Sequence, residues 1–381
     1  KFIKNKRKIY GELMSGLSSA VTDFKGFLSD KTFNKIFIIC GENSFIGSGA
    51  DKLINDQLKN KKTKFYFKKS PYPEILELKK IISEINLFSP DLIIAIGGGS
   101  VLDYAKIANT LSNSTNIEDE IISTKYKLNK KFSKLVAIPT TAGSGAEVTS
   151  NAVIYINNIK YSVEGDLIKP DFFFLIPELV IGASNKIKSS AAFDAIAQAI
   201  ESIISKKSNE KSIDFAERSL KISLKNFINF LEKPNLENTS AMCQAANLAG
   251  EAINISRTTA PHAISYPFTS IYNISHGHAV SLTLNKFLKY NYENLSSASC
   301  TFNLKDRFKI LFSLTNTENF SSFDNYLQNL KQKAQLEDKF DKLGIDINKD
   351  YQKIISKINT RRLANNPVDL DSSKIKKIIL N

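Results

Sequence analysis

Between residues 35 and 138, short apolar runs alternate with stretches of helical periodicity, and few folds satisfy that alternation. Lys35-Ile-Phe-Ile-Ile-Cys40 is rich in isoleucine and stops at Gly41; residues 92–96 and 135–138 have the same character. Runs this short and this nearly continuous in apolar residues read as strands buried on both faces. Residues 49–58 and 74–86 carry helix spacing instead, with Ile75, Leu78, Ile81, Ile82 and Ile85 repeating at helical intervals. Residues 63–67 add another strand, and 101–111 another helix. Strand, helix, strand, helix in this order predicts a parallel sheet covered on both faces. A hairpin is expected over 152–156 and 161–163, turning at Asn157-Asn158, and 172–176 is the last strand-like run.

Near residue 185 the pattern changes. Segments 190–205, 213–231, 239–255, 279–290, 306–315 and 323–334 read as helices, with Ser189 and Asn238 as N-caps. The tail over 337–381 alternates short helical patterns with polar breaks. A chain of 381 residues exceeds what one core supports. Two domains are therefore expected: an α/β unit over 1–182 and an all-α unit over 183–381.

Composition narrows the partners. Lys plus Arg is 52 against 38 Asp plus Glu, a formal charge of +14. The excess is dispersed rather than gathered in a stripe with interleaved aromatics, so no nucleic-acid partner is expected. An anionic small substrate is compatible with that charge. No apolar run reaches membrane-spanning length, so no membrane partner is expected. The basic stretch Lys1–Lys8 is not followed by the apolar segment of a secretory signal. Numbering that starts at Lys1 rather than Met leads us to expect residues upstream. Cys40, Cys243 and Cys300 are odd in number and form no CxxC pair, which predicts free thiols, a reducing compartment and a cytoplasmic location.

Two glycine-bearing loops follow strands. Gly97-Gly-Gly-Ser100 lies between a strand and a helix, where backbone N–H groups can approach a pyrophosphate at a helix N-terminus. Pro139-Thr-Thr-Ala-Gly-Ser-Gly145 has the same chemistry after the next strand. Loops at the carboxyl ends of parallel strands converge on one crevice, so a nucleotide between them is expected. At the end of the first strand, Gly41 stands where an acidic residue would bind the ribose 2′-hydroxyl of NAD. With Asn43 and Ser44 as neutral donors, that position favours NADP; adjacent Glu42 keeps NAD open.

The three histidines of the chain, His262, His276 and His278, fall within seventeen residues. Imidazole is the commonest protein ligand for transition metals. Asp194 and Gln198 are four apart on a predicted Ala-rich helix and share a face. His262 and His276 are fourteen apart, separated by Pro267 and a polar turn, which fits the end of one helix, a loop and the start of the next. Asp194, His262 and His276 would supply three ligands and leave a position open, as catalytic metal sites do.

Taken together, Gly97-Gly-Gly-Ser-Val-Leu-Asp-Tyr-Ala-Lys106, Pro139-Thr-Thr-Ala-Gly-Ser-Gly-Ala-Glu-Val-Thr149, Asp194-Ala-Ile-Ala-Gln-Ala-Ile-Glu-Ser202 and His262 with His276-Gly277 resemble the iron-containing, group III alcohol dehydrogenases over about residues 30–300. The resemblance implies a Rossmann-like N-terminal domain and a helical, metal-binding C-terminal one, the dehydroquinate synthase-like architecture. It also implies a homodimer, and a divalent metal (iron or zinc) that polarises a carbonyl toward hydride from a nicotinamide. Gly97, Gly98, Gly99 and Ser100, with Asp103, match the first cofactor motif; Thr140, Thr141 and Ser144 match the second; Lys160 matches a cofactor-reaching lysine. Asp194, His262 and His276 match metal ligands. The family's fourth ligand, a histidine, is Gln198 here, and a further motif histidine is Tyr266. That weaker donor set makes zinc credible beside iron. Tyr266 and His278 are the expected proton relays, and Asn151 and Arg257 the expected substrate contacts. Residues 265–283 are similar to the phosphonoacetaldehyde reductase branch, so the expected substrate is a small, anionic aldehyde. Oxidation of another alcohol or sugar, or a dehydroquinate synthase-like lyase reaction, is the alternative.

Overall fold

The computed structural model describes residues 17–29, 32–358 and 360–380. The basic stretch Lys1–Lys8 lies outside them.

The α/β half runs α1 (Leu17–Ser29), β1 (Lys35–Gly41), α2 (Glu42–Gly47), α3 (Ala50–Leu58), β2 (Lys62–Lys68), α4 (Ile75–Phe88), β3 (Leu92–Gly97), α5 (Gly99–Thr110), α6 (Ile117–Ile122), β4 (Lys134–Pro139), β5 (Asn151–Ile156), β6 (Ile159–Glu164) and β7 (Phe172–Phe173). Its sheet is parallel throughout, in the order β2-β1-β3-β4-β7. The apolar runs supply both faces of it. Phe37, Ile39, Ile93, Ala95 and Leu135 enter one core, while Ile36, Ile38, Ile94, Ile96 and Val136 enter the other. That alternation is the period of two of a pleated strand. After β1 the chain moves outward to β2, then returns to the opposite flank as β3. The carboxyl ends of β1 and β3 thus form a switch point, where such sheets bind ligands. The hairpin β5–β6 turns at Asn157 and Asn158, both with positive φ (52° and 61°), as a two-residue hairpin turn requires.

The helical half runs α7 (Asn185–Ile204), α8 (Glu210–Glu232), α9 (Leu236–Ser256), α10 (Ala260–Tyr272), α11 (His276–Glu293), α12 (Leu304–Thr315), α13 (Phe320–Lys333), α14 (Ile347–Ile355) and α15 (Ser372–Leu380). Helix α7 is the axis of this half: sixteen of its twenty residues are buried, and Ala192, Ala195, Ala197 and Ala199 let neighbouring helices approach closely. A helix buried on all sides belongs in the middle of a bundle. Among the described residues, no helix is long and apolar enough to cross a membrane.

Three expectations are corrected. Helix α7 is capped by Ser184, whose side chain accepts from the Ile187 N–H, and Ser189 lies a turn inside. Helix α9 is capped by Asn235, with Asn238 completing the capping box three residues on. The largest departure is α10. Pro267 reads as a breaker because it removes a backbone donor, yet the helix runs through it. Burial of Ala260, Ala263, Ile264 and Phe268 against Ile345, Ile354 and Ile375 outweighs that loss. His262 therefore sits in the first turn of a helix rather than at the end of one.

Candidate active site

Strands β3 and β4 pair with Gly97 opposite Pro139, so the two loops leave the sheet at the same level. The Thr140 N–H donates to the Gly97 carbonyl at 3.0 Å and holds them together. Helix α5 starts at Gly99, with the backbone of Gly98 as its N-cap. The loops then touch: a Cβ on Gly99 would lie 2.8 Å from Ser144 Oγ. Gly98, Gly99, Ser100 and Asp103 line one wall of a cleft of about 650 Å³, with Thr141 and Ser144 beside them. Gly97 and Thr140 shape the loops from behind and do not line it. Gly41, Asn43 and Ser44 also lie outside that lining; α2 begins at once after Gly41, and Ser44 Oγ donates to the Gly41 carbonyl. Fully buried Lys106 pins the second loop by donating to the Ala146 carbonyl at 2.8 Å and to Thr149 Oγ1 at 2.9 Å. Burial lowers its pKa to about 8. Burial raises Asp103 to about 6, against the pull of Lys106 and Lys160.

The facing wall is helical. Asp194, Gln198 and Glu201 lie four and seven residues apart on α7, hence on one face. His262 opens α10 and His276 opens α11. His262 Nε2 is 3.1 Å and His276 Nε2 3.8 Å from Asp194 Oδ1. One ligand atom from each of Asp194, His262 and His276 lies within 4.8 Å of the others. Gln198 Nε2 donates to Asp194 Oδ2 at 3.1 Å, which leaves Gln198 Oε1 buried without a partner. A buried acceptor left unpaired costs about 1–3 kcal/mol, so this oxygen is available as a further donor atom to a metal. Two imidazoles, a carboxylate and an amide oxygen fit a divalent transition metal, iron and zinc alike.

Close packing puts the histidines there. A Cβ on Gly277 would lie 1.9 Å from the Ser190 carbonyl oxygen and 2.9 Å from Asp194 Cβ. Only a glycine at that position lets the start of α11 rest on α7 and bring His276 to Asp194. His262 is oriented from behind by Glu201, whose Oε1 makes a short hydrogen bond with His262 Nδ1. Glu201 Oε2 accepts from the Thr259 N–H at 2.6 Å and Thr259 Oγ1 at 2.8 Å. This carboxylate–imidazole pairing leaves Nε2 facing the ligand cluster. Burial would lower the His262 pKa, but the Glu201 and Asp194 carboxylates raise it to about 9. Burial lowers His276 to about 3, so it is neutral and ready to ligate, whereas His262 has to release a proton when a metal binds. Asp194 is likewise lowered: burial opposes ionisation, and the two histidines overcome it.

Tyr266 stacks on His276 with ring centroids 5.6 Å apart, and its hydroxyl accepts from Arg362 Nη1 at 2.9 Å. Lys160 Nζ stands 3.3 Å from the Tyr266 ring centroid. Asn151 and Arg257 line the cleft. His278 is a correction: its Nε2 bonds the Glu337 carbonyl at 2.8 Å, and it does not line the cleft. Two residues along α11 from His276, it is rotated about 200° from that ligand and so faces away from the cluster. Sequence reading missed two residues. Glu201 had a signal, an acid seven residues after Asp194 on an apolar helix. Arg362 had none, because the turn Thr360–Asn365 reaches the cleft only through the tertiary fold.

Residues 16–177 match the family model described as iron-containing alcohol dehydrogenase, and residues 188–381 match the C-terminal domain of the Fe-containing alcohol dehydrogenase family. The chain belongs to the iron-containing alcohol dehydrogenase family, a class of NAD(P)-dependent alcohol dehydrogenases. Among individual relatives, the phosphonoacetaldehyde reductase of Streptomyces viridochromogenes is 30% identical over 218 residues, 55% of each chain. The match thus spans about half the length of that relative. The 4-hydroxybutyrate dehydrogenase of Clostridium kluyveri is 28% identical over 256 residues, 66% of this chain and 67% of the relative. Sulfoacetaldehyde reductase from Bifidobacterium kashiwanohense, solved with NAD+, superposes with a TM-score of 0.82 over 94% of each chain at 24% identity, which speaks to fold alone.

Proposed function

We propose that this protein reduces a small, anionic aldehyde to a primary alcohol with NADPH or NADH, best exemplified by phosphonoacetaldehyde to 2-hydroxyethylphosphonate. One observation carries the reading: the Asp194, His262 and His276 cluster opens into the same cleft as the two glycine loops. When bound there, a divalent metal supplies polarisation of a carbonyl and a nicotinamide supplies hydride. The residues of the chain position both. Gly98, Gly99 and Ser100 present backbone and hydroxyl donors at the start of α5, where a pyrophosphate is favoured. Asp103 borders the cleft one turn further along α5. Tyr266, hydrogen-bonded to Arg362, holds a phenolic proton beside His276. That places a donor for a developing alkoxide next to the ligand cluster. Relatives named for phosphonoacetaldehyde and 4-hydroxybutyrate both act on molecules with an anionic end. No carboxylate stands at Gly41 but Glu42 adjoins it, so both NADPH and NADH are carried into the test. We further propose a domain boundary at 182/183, a homodimer and a cytoplasmic setting.

The test combines metal analysis of the purified protein with NADPH and NADH oxidation over short aldehydes, phosphonoacetaldehyde beside neutral aldehydes of equal length. Bound iron or zinc, turnover and preference for the charged aldehyde are expected. Turnover indifferent to chelation overturns the metal role, and preference for neutral aldehydes overturns the substrate class.

A further inference from the structure

The cleft holds a second polar cluster that neither the metal ligands nor the glycine loops use. Five lining side chains are basic, Lys160, Lys186, Lys207, Arg257 and Arg362, against the carboxylates Asp103, Glu164 and Asp194. Two of the cations meet at one acid. Arg257 Nη2 lies 3.0 Å from Glu164 Oε2, and Arg362 Nη2 lies 4.0 Å from Glu164 Oε1. The other terminal nitrogen of Arg257, Nη1, is buried and has no acceptor. The Arg257 backbone is held at φ 61°, ψ 174°, a region that glycine tolerates and other residues avoid. An ion pair with half-exposed Glu164 is too weakly stabilising to explain an arginine kept in that conformation. Strain of this kind gathers at ligand sites.

The second arginine sets the distance from the chemistry. Arg362 bonds the Tyr266 hydroxyl, and the Tyr266 ring lies against His276. A single phenol therefore separates the guanidinium from a metal ligand. We propose that Arg257 and Arg362 form an oxyanion subsite that holds the phosphonate-like end of a short substrate while its carbonyl faces Asp194, His262 and His276. Arginine forks match such oxyanions in bidentate fashion. Glu164 is the internal counterion that aligns Arg257, while Ser162 and Tyr266 accept from Arg362 and align it; the incoming oxyanion displaces Glu164. This subsite rests on the reductase reading above and specifies how the charged end is recognised.

Methylphosphonate has the oxyanion and no carbonyl, so its calorimetric titration into the full chain tests the subsite without turnover. Saturable binding is expected, weakened about tenfold or more in Arg257→Met and in Arg362→Lys, which keeps the charge and loses the fork. Glu164→Gln removes the competing carboxylate and should tighten binding. No saturable binding by the wild type, or affinity indifferent to both arginine substitutions, overturns the subsite. Should an arginine variant fail to fold by its melting curve, unchanged or weaker affinity in Glu164→Gln overturns it instead. A wild type that reduces neutral aldehydes and ignores methylphosphonate loses the subsite and keeps the reductase reading. One that binds methylphosphonate through both arginines and never oxidises NADPH keeps the subsite and loses that reading.

Discussion

The two walls of the cleft are built by opposite means. On the sheet side the working surface is largely backbone: Gly98 and Gly99 at the start of α5, with the small residues of the second loop against them. On the helical side it is side chains: Asp194, His262 and His276, gathered from three helices. A backbone wall is specified by what is missing, a Cβ, and it needs only one strand–loop–helix unit. A side-chain wall is specified by functional groups, and it exists only once α7, α10 and α11 have packed. The first should tolerate changes of chemistry and fail on added bulk. The second should fail on any change of ligand.

Substitutions can break that contrast in order of size. His276→Ala should leave no bound metal by elemental analysis and cut turnover on the order of 10³-fold, given the several kcal/mol a metal supplies. Retained metal with retained turnover sinks the ligand assignment. Gly277→Ala should nearly match it, since its new methyl meets the Ser190 carbonyl oxygen; about 1–3 kcal/mol of stability should go with the metal. A normal melting temperature and full metal content would show that α11 can move aside. Glu201→Gln should lower metal affinity about 10- to 100-fold in a chelator competition; unchanged affinity removes its orienting role.

Gly99→Ala tests the other wall. Its methyl crowds Ser144 Oγ, so NADPH affinity by fluorescence titration should fall about tenfold for a strain of 1–2 kcal/mol. Metal content should stay unchanged, and loss of metal here erases the distinction between the walls. His278→Ala should be the mildest, costing about 0.5–1.5 kcal/mol of stability for its bond to Glu337. Turnover should remain within about twofold; a larger drop restores it as a proton relay.

Legibility followed the same division. The central strands β1, β3 and β4 were readable because they are nearly continuous apolar runs, which is what burial on both faces demands. The loops were readable because each places glycine and hydroxyl residues directly after a buried strand, and two such loops converge at the carboxyl ends of a parallel sheet. Helix ends were read a few residues short: Asn235 with Asn238, like Ser184, caps from outside the apolar pattern used to place the helix. Helix α10 was missed because Pro267 argues locally for a break and the burial that overrides it is long-range. Glu201 was in view as part of a motif, but its bond to His262 joins residues 61 apart.

Local spacing alone determined the parallel sheet, the two loops, and the residue types able to hold a metal and a nucleotide, because period and glycine placement are properties of short segments. Only packing decided that His278 faces away, that Gly277 seats α11 on α7, and that Arg362 reaches the cleft. Those outcomes depend on where helices distant in the chain come to rest, and close-packed side chains fix that to within an atom's width.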